Sequence, residues 1–219
     1  MPKRNGPKDP DKEERILTAA IRIFARDGYQ HAKTDEIAAA AEVSKGLVFN
    51  YFGSKAQLYV AAVQAAYDGL IAKADMSVWQ DAPDLKSMVV RATKYKIQMQ
   101  LAYPDEFALS MQAYADVGNL PKGLRDQVAA IWSDKLAQVM PDMVTPVLER
   151  TKLRPGVRIE TVQKLMSAMV MLIGEETKVL VQAKPDITIG EMSGIIAEVE
   201  DYMDIMENGF VDKAAPSGE

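Results

Sequence analysis

The chain has 219 residues, 48% of them apolar and 26% charged, with no cysteine, one histidine and a net charge of −5. This is enough material for one or two globular domains with a sizeable core. The absence of thiols and the single His31 exclude disulfide frameworks, thiolate metal sites, thiol nucleophiles and multi-histidine chemistry. No apolar run nears the roughly 18 residues of a membrane helix.

Charge and residue type are unevenly distributed. Residues 1–58 hold ten Lys/Arg and eight Asp/Glu, a balance of +2, so the remainder carries −7. Such a chain can meet a polyanion at one end only. Apart from Met1, every methionine lies at or beyond Met76, and no proline falls between Asp11 and Ala82.

Met1 to Lys12 is polar and has no apolar stretch of a secretory signal. With Lys3, Arg4, Lys8 and Lys12 it reads as a flexible basic arm, assigned to residues 1–10. From Asp11 to Asp27, Ile16, Ala20, Ile23 and Phe24 recur at helical spacing while Arg15, Arg22 and Arg26 fall off the stripe. Gly28 supplies the stop. Thr34 is expected to cap a short helix carrying Ile37, Ala38 and Ala41, and Ser44 to cap another that ends near Phe52. After Gly53 and Ser54 a long helix runs from Lys55 to about Ala74.

The later segments are longer helices. Asp84 to Tyr103 carries Leu85, Met88, Ala92, Tyr95 and Met99 on one stripe and ends at Pro104. Asp105 to Asp116 follows, then a helix opened by Pro121 that Pro141 and Pro146 should kink or interrupt. Arg158 to Gln182 is apolar nearly all round in its middle, since Leu165 to Ile173 has Ser167 as its one polar member. Such a helix must be buried on more than one side. Thr188 to Asn208 is amphipathic, and the segment from Asp212 is small and polar, which reads as a disordered tail.

Two short helices joined by a tight turn suggest a helix-turn-helix, whose second helix enters the major groove. Val43, Val48 and Phe52 form its expected inward face, leaving Lys45, Leu47, Phe49, Asn50 and Tyr51 outward. Exposed aromatics beside Lys and Asn need a partner, and DNA offers phosphates, base edges and thymine methyls.

The stretch from Ala19 to Tyr59 resembles the DNA-binding domain of tetracycline-repressor-like (TetR-family) regulators. Phe24, Gly28, Tyr29, Thr34, Ile37, Ala38, Val43, Ser44, Gly46, Tyr51, Phe52, Lys55 and Leu58 carry the match at unbroken spacing. The resemblance implies an all-α protein in which a three-helix helix-turn-helix domain (11–54) precedes a larger helical effector-binding and dimerisation domain (55–211, with 55–74 connecting), then a tail (212–219). It implies that Lys45, Leu47, Phe49 and Asn50 face bases, that Thr34, Ser44, Tyr51 and Lys55 hold phosphates, and that Gly46 belongs to the same surface. Leu47 and Phe49 each lack a hydroxyl that many relatives have, which points to apolar contacts and a distinct operator.

The resemblance further implies a two-fold dimer joined through helices 158–182 and 188–208, a pseudo-palindromic double-stranded operator and a small-molecule effector. Tyr95, Met99, Phe107, Met111, Tyr114, Trp132, Met169 and Glu176 are the candidate effector residues. Met-rich and aromatic walls suit an apolar or amphipathic ligand, although the same stripe also serves core packing. Glu176, on an apolar stripe, either meets the ligand or pairs with a neighbouring Lys or Arg.

No nucleophile elbow, P-loop, dinucleotide fingerprint or zinc-protease motif occurs, so no enzyme, metal or cofactor is expected. The function expected is that of a cytoplasmic ligand-released repressor. The alternative is a helical ligand-binding protein that has lost specific DNA binding.

Overall fold

A computed structural model describes residues 9–184 and 186–209, and all regular structure among them is helical. The basic arm through Lys8 and the tail from Asp212 lie outside the described residues. Asp9 and Pro10 do not belong to an arm. The Asp9 carboxylate accepts the Asp11 N–H at 3.1 Å and Pro10 fills the first turn of α1 (Pro10–His31). Gly28, at φ 68° and ψ 173°, kinks α1 near its end, a conformation that an L side chain resists.

Next come α2 (Thr34–Ala40), α3 (Lys45–Phe52) and α4 (Lys55–Lys73). Individually α2 and α3, of 7 and 8 residues, are too short to be stable, so tertiary packing must hold them. Their turn is a Schellman closure: Val43 N–H reaches Ala38 O at 2.9 Å and Glu42 N–H reaches Ala39 O at 3.1 Å. This puts Glu42 at φ 55°, a left-handed conformation that favours glycine.

The remaining helices are α5 (Ser77–Gln80), α6 (Leu85–Ala102), α7 (Pro104–Ala115), α8 (Lys122–Arg150), α9 (Ile159–Ala183) and α10 (Ser193–Asn208). Pro104 starts a helix as well as ending one, as its fixed φ and missing N–H allow. Pro121 lies one residue before α8, its carbonyl accepting from Leu124 and Arg125. Residues 188–191, expected as the start of the last helix, form a separate capping box in which Glu191 accepts from Thr188 N–H and hydroxyl at 2.9 and 2.8 Å.

Two compact units are present among the described residues: the first runs through 75 and adds 98–140 and the segment from 178 to 187, and the second holds 76–97, 141–177 and the described residues from 188. In the first, Phe24 of α1 meets Tyr59 of α4 edge-on, with ring centroids 4.9 Å apart. Ile37 of α2, Val48 of α3 and Leu58 of α4 close over them. The same core continues into Leu109 and Ala113 of α7 and Leu124, Val128 and Ile131 of α8. Gln112 adds a hydrogen bond to Ala25 O at 2.8 Å.

In the second unit α8 runs through Pro141 and Pro146 without a break. Proline at position 146 cannot donate to the Asp142 carbonyl. The Gln80 side chain, from α5, donates to that carbonyl instead, at 3.1 Å. Arg150 donates in turn to the carbonyls of Gln80 and Ala82, which fixes the α5 turn against the end of α8.

Burial of the middle of α9 is only partial in a single chain. Met166 is buried, whereas Leu165, Met171, Leu172 and Val179 are 54%, 69%, 48% and 64% exposed. Glu176 of α9 lies against Glu198 of α10. Its Oε2 is buried and receives no donor among the described residues. Burial first, and the adjoining Glu198 carboxyl second, push the Glu176 acid above the usual carboxylate range. Tyr202 donates its hydroxyl to Glu198 Oε1 at 2.6 Å, a bond that leads the causes pushing the phenol up to about 12.

Two stability predictions follow from these sites. Glu42→Gly should raise the unfolding free energy by about 1 kcal/mol in urea titration, by relieving the left-handed conformation. For Glu176, an acid pKa raised by folding means that stability is full below the unfolded value and falls as pH rises through the folded one. Glu176→Gln should therefore melt above the parent at pH 7.5 and converge with it near pH 4, as measured by calorimetry.

Candidate nucleic-acid interface

The turn at residues 41–44 leads into Ser44, whose side chain accepts the Leu47 N–H at 3.2 Å and so caps α3 as expected. Thr34 is not the corresponding cap of α2. Lys33 occupies that position with extended backbone and no side-chain bond, and Thr34 is already the first helical residue, half-buried. Both hydroxyls still stand at helix starts, where unpaired backbone N–H groups favour anions.

Along α3, exposure alternates in pairs. Lys45, Gly46, Phe49 and Asn50 are exposed, while Leu47, Val48, Tyr51 and Phe52 are buried or half-buried. The expected outward set is therefore corrected at two positions. Leu47 packs partly against the core. Tyr51 is 8% exposed, and its ring runs inward so that its oxygen accepts the Asp9 N–H at 2.8 Å. The hydroxyl expected to hold phosphate thus anchors the start of α1. An 8-residue helix with three aromatics has too weak a polarity contrast to show which ring turns in.

Phe49 remains outward, at 37% exposure, beside Asn50 and Gly46. A Cβ added at Gly46 would meet nothing closer than the Ser44 hydroxyl at 4.0 Å, so its surroundings are open. Lys45 pairs with Asp35 of α2 at 2.9 Å, both side chains being well exposed. Exposed pairs of this kind contribute about 1 kcal/mol or less, so a phosphate or guanine edge can displace Asp35.

Lys55, at the start of α4, is half-buried and turned toward the end of α1. Its ammonium donates to Gln30 O at 3.2 Å and lies 5.0 Å from the centre of the Tyr29 ring. Burial lowers its pKa. The lysine joins α4 to the carbonyl end of α1, and a lysine ammonium has further donors for an anion. Neither the Asp9 nor the Gln30 backbone partner could be read from residue types. The Asp35 partner could have been suggested by its acidic side chain in the first turn of α2.

The candidate effector residues divide between the two units. In the first, Tyr114 and Trp132 pack with ring centroids 4.7 Å apart, and Trp132 also meets Tyr67 at 5.8 Å. Tyr67, whose hydroxyl donates to Ser110 O at 3.0 Å, had no distinguishing signal in its pattern. Met99, Phe107 and Met111 are half-buried in the same unit. In the second, Tyr95 packs edge-on against Trp79 at 5.5 Å, and Met169 and Glu176 are half-buried on α9. Glu176 has Glu198 beside it where a Lys or Arg partner was one expectation.

Among the described residues no helix is long and apolar enough to cross a membrane. Residues 16–62 match the family of bacterial regulatory proteins, tetR family. The chain is 41% identical over 70 residues to the HTH-type transcriptional activator FasR of Mycolicibacterium smegmatis, covering 31% of this chain and 32% of that protein. It is 23% identical over 185 residues to the HTH-type transcriptional repressor NicS of Pseudomonas putida, covering 84% and 66%. It therefore spans about a third to two thirds of the length of these curated relatives. The crystal structure of the transcriptional regulator FadR from Bacillus subtilis in complex with stearoyl-CoA superposes with a TM-score of 0.59 at 14% identity, over 91% of this chain and 100% of that one. The helix-turn-helix geometry and the family match across it agree: residues 16–62 form a DNA-binding domain of the tetR family of bacterial regulatory proteins, within a chain that shares the all-helical fold of such regulators.

Proposed function

We propose that the chain is a sequence-specific repressor, a cytoplasmic two-fold dimer that leaves a pseudo-palindromic operator when an apolar or amphipathic effector binds its helical domain. The observation that carries this reading is the division of α3 into an outer face of Lys45, Gly46, Phe49 and Asn50 and an inner face buried in the core. Lys45 and Asn50 have the donors and acceptors to read base edges, and Phe49 supplies apolar contact for a thymine methyl. Thr34, Ser44, Tyr51 and Lys55 surround that face, with Leu47 at its edge. Tyr51 and Lys55 position it through Asp9 and Gln30, and the Lys55 ammonium has further donors for phosphates.

Dimerisation through helices 158–182 and 188–208 is supported by α9 itself. Leu165, Leu172 and Val179 recur every seven residues and are all exposed, and Ile205 of α10 is 45% exposed. An apolar stripe of this length in water calls for a partner surface. A two-fold partner would set two α3 helices about 34 Å apart, one DNA turn. For the effector, half-buried Met99, Phe107, Met111, Tyr114 and Trp132 of the first unit offer adaptable apolar walls. The stearoyl-CoA complex of FadR shows a protein of this fold holding such a ligand. Release requires tighter effector binding to the conformation that cannot dock on the operator.

Selection from random duplex DNA with the full chain should return a two-fold-related consensus. Lys45→Ala or Asn50→Ala should change that consensus. Lys55→Ala should weaken binding to all sequences and reduce the salt slope by about 1. An unchanged consensus and slope in all three variants would contradict the docking.

A further inference from the structure

The first turn of α3 carries a cation and no acid: Lys45 opens the helix, followed by Gly46 and Leu47. The unpaired N–H groups of a helix start hold partial positive charge, so a lysine there is disfavoured and an anion beside it is favoured. The fold supplies that anion from another element. Asp35, in the first turn of α2, places its Oδ2 2.9 Å from the Lys45 ammonium.

The acids near Asp35 are engaged elsewhere. Glu36 accepts from Arg26 at 3.0 Å and lies 3.5 Å from Lys33, and Asp27 accepts from Arg26 at 2.7 and 2.6 Å. Of the ion pairs among the described residues, Asp35–Lys45 is the one that reaches α3. Its side chains are 67% exposed for Asp35 and 49% for Lys45, so a competitor can approach both.

Two competitors on a duplex differ in what they return. A phosphate exchanges one exposed ion pair for another, and it leaves the Asp35 carboxylate unpaired among further phosphates. A guanine edge accepts from the lysine at O6 and N7, a contact that discriminates by about tenfold or more. That outweighs an exposed ion pair, worth about fivefold at most.

We propose that Asp35 is a specificity-determining residue, whose carboxylate stands in for DNA on Lys45, holds the lysine off the phosphate backbone and yields it to a base edge. This role rests on the reading of the outer face of α3 as the surface that meets DNA. It adds a repulsive element, a residue that lowers binding to the wrong sequences rather than raising binding to the right one.

The test is fluorescence-anisotropy titration of the full chain, over a range of salt concentrations, on the consensus duplex recovered by selection and on a duplex of scrambled sequence. Asp35→Asn should bind the scrambled duplex about threefold more tightly and steepen its salt slope by about 1, because Lys45 then joins the phosphates. The ratio of consensus to scrambled affinity should fall by a similar factor. Asp35→Glu, which keeps the pair, should hold the parent ratio. Glu36→Gln removes an equal charge from the same turn and should move the ratio by less than about twofold. On the Lys45→Ala background, Asp35→Asn should leave the scrambled-duplex slope unchanged. An unchanged ratio in Asp35→Asn overturns the role of Asp35, as does an equal fall in Glu36→Gln or an equal steepening without Lys45. Each of these leaves α3 standing as the reading helix. A parent from which selection recovers no consensus overturns that reading of α3 as well.

Discussion

The structure depends on one apolar core that short helices could not build for themselves. Helices α2 and α3 have 7 and 8 residues and expose half of each, so they bury too little surface to fold alone. They are held by Ile37 and Val48, which enter a core dominated by Phe24 and Tyr59, and that core extends into Leu109 and Ala113 of α7. Each fully buried large side chain in this cluster contributes about 1.5–3 kcal/mol of apolar burial. The outer face of α3, proposed to read DNA, is thus carried by a core that includes residues far along the chain.

Around that core, polar contacts aim the outer face of α3 without adding much stability. Asp9 to Tyr51, Lys55 to Gln30 and the Ser44 cap each connect the end of one element to the next. Such bonds are worth about 1 kcal/mol each, yet they fix the direction in which Lys45, Phe49 and Asn50 project. The Glu42 turn belongs to the same group: its strained backbone is the local cost of the angle between α2 and α3. The second unit follows a similar pattern, with Gln80 and Arg150 satisfying carbonyls that proline and the helix end leave free.

What the sequence made legible was whatever rests on local periodicity and capping. The helices from α1 to α4, the Ser44 cap and the stop near Pro104 are readable because spacing and cap chemistry act over a few residues. The TetR-type landmarks made the family match over residues 16–62 readable as well. Two features were not legible, for separate reasons. Tyr51 turns inward to a backbone N–H 42 residues away, and no residue type marks that partner. At Pro146 α8 passes without a break, and Gln80, 62 residues from Asp142, donates to the carbonyl that the proline leaves free.

The central claim is that α3, the proposed recognition helix, stands on a core shared with α7. Native-state hydrogen exchange on the full chain carrying Leu109→Ala tests this most directly. Leu109 is fully buried, and its truncation should cost about 2–5 kcal/mol. If the core is one cooperative unit, the slowest amides of α1 and α4 lose protection by the same factor as those of α7. Loss confined to α7, with α1 and α4 exchanging as in the parent, would contradict the account.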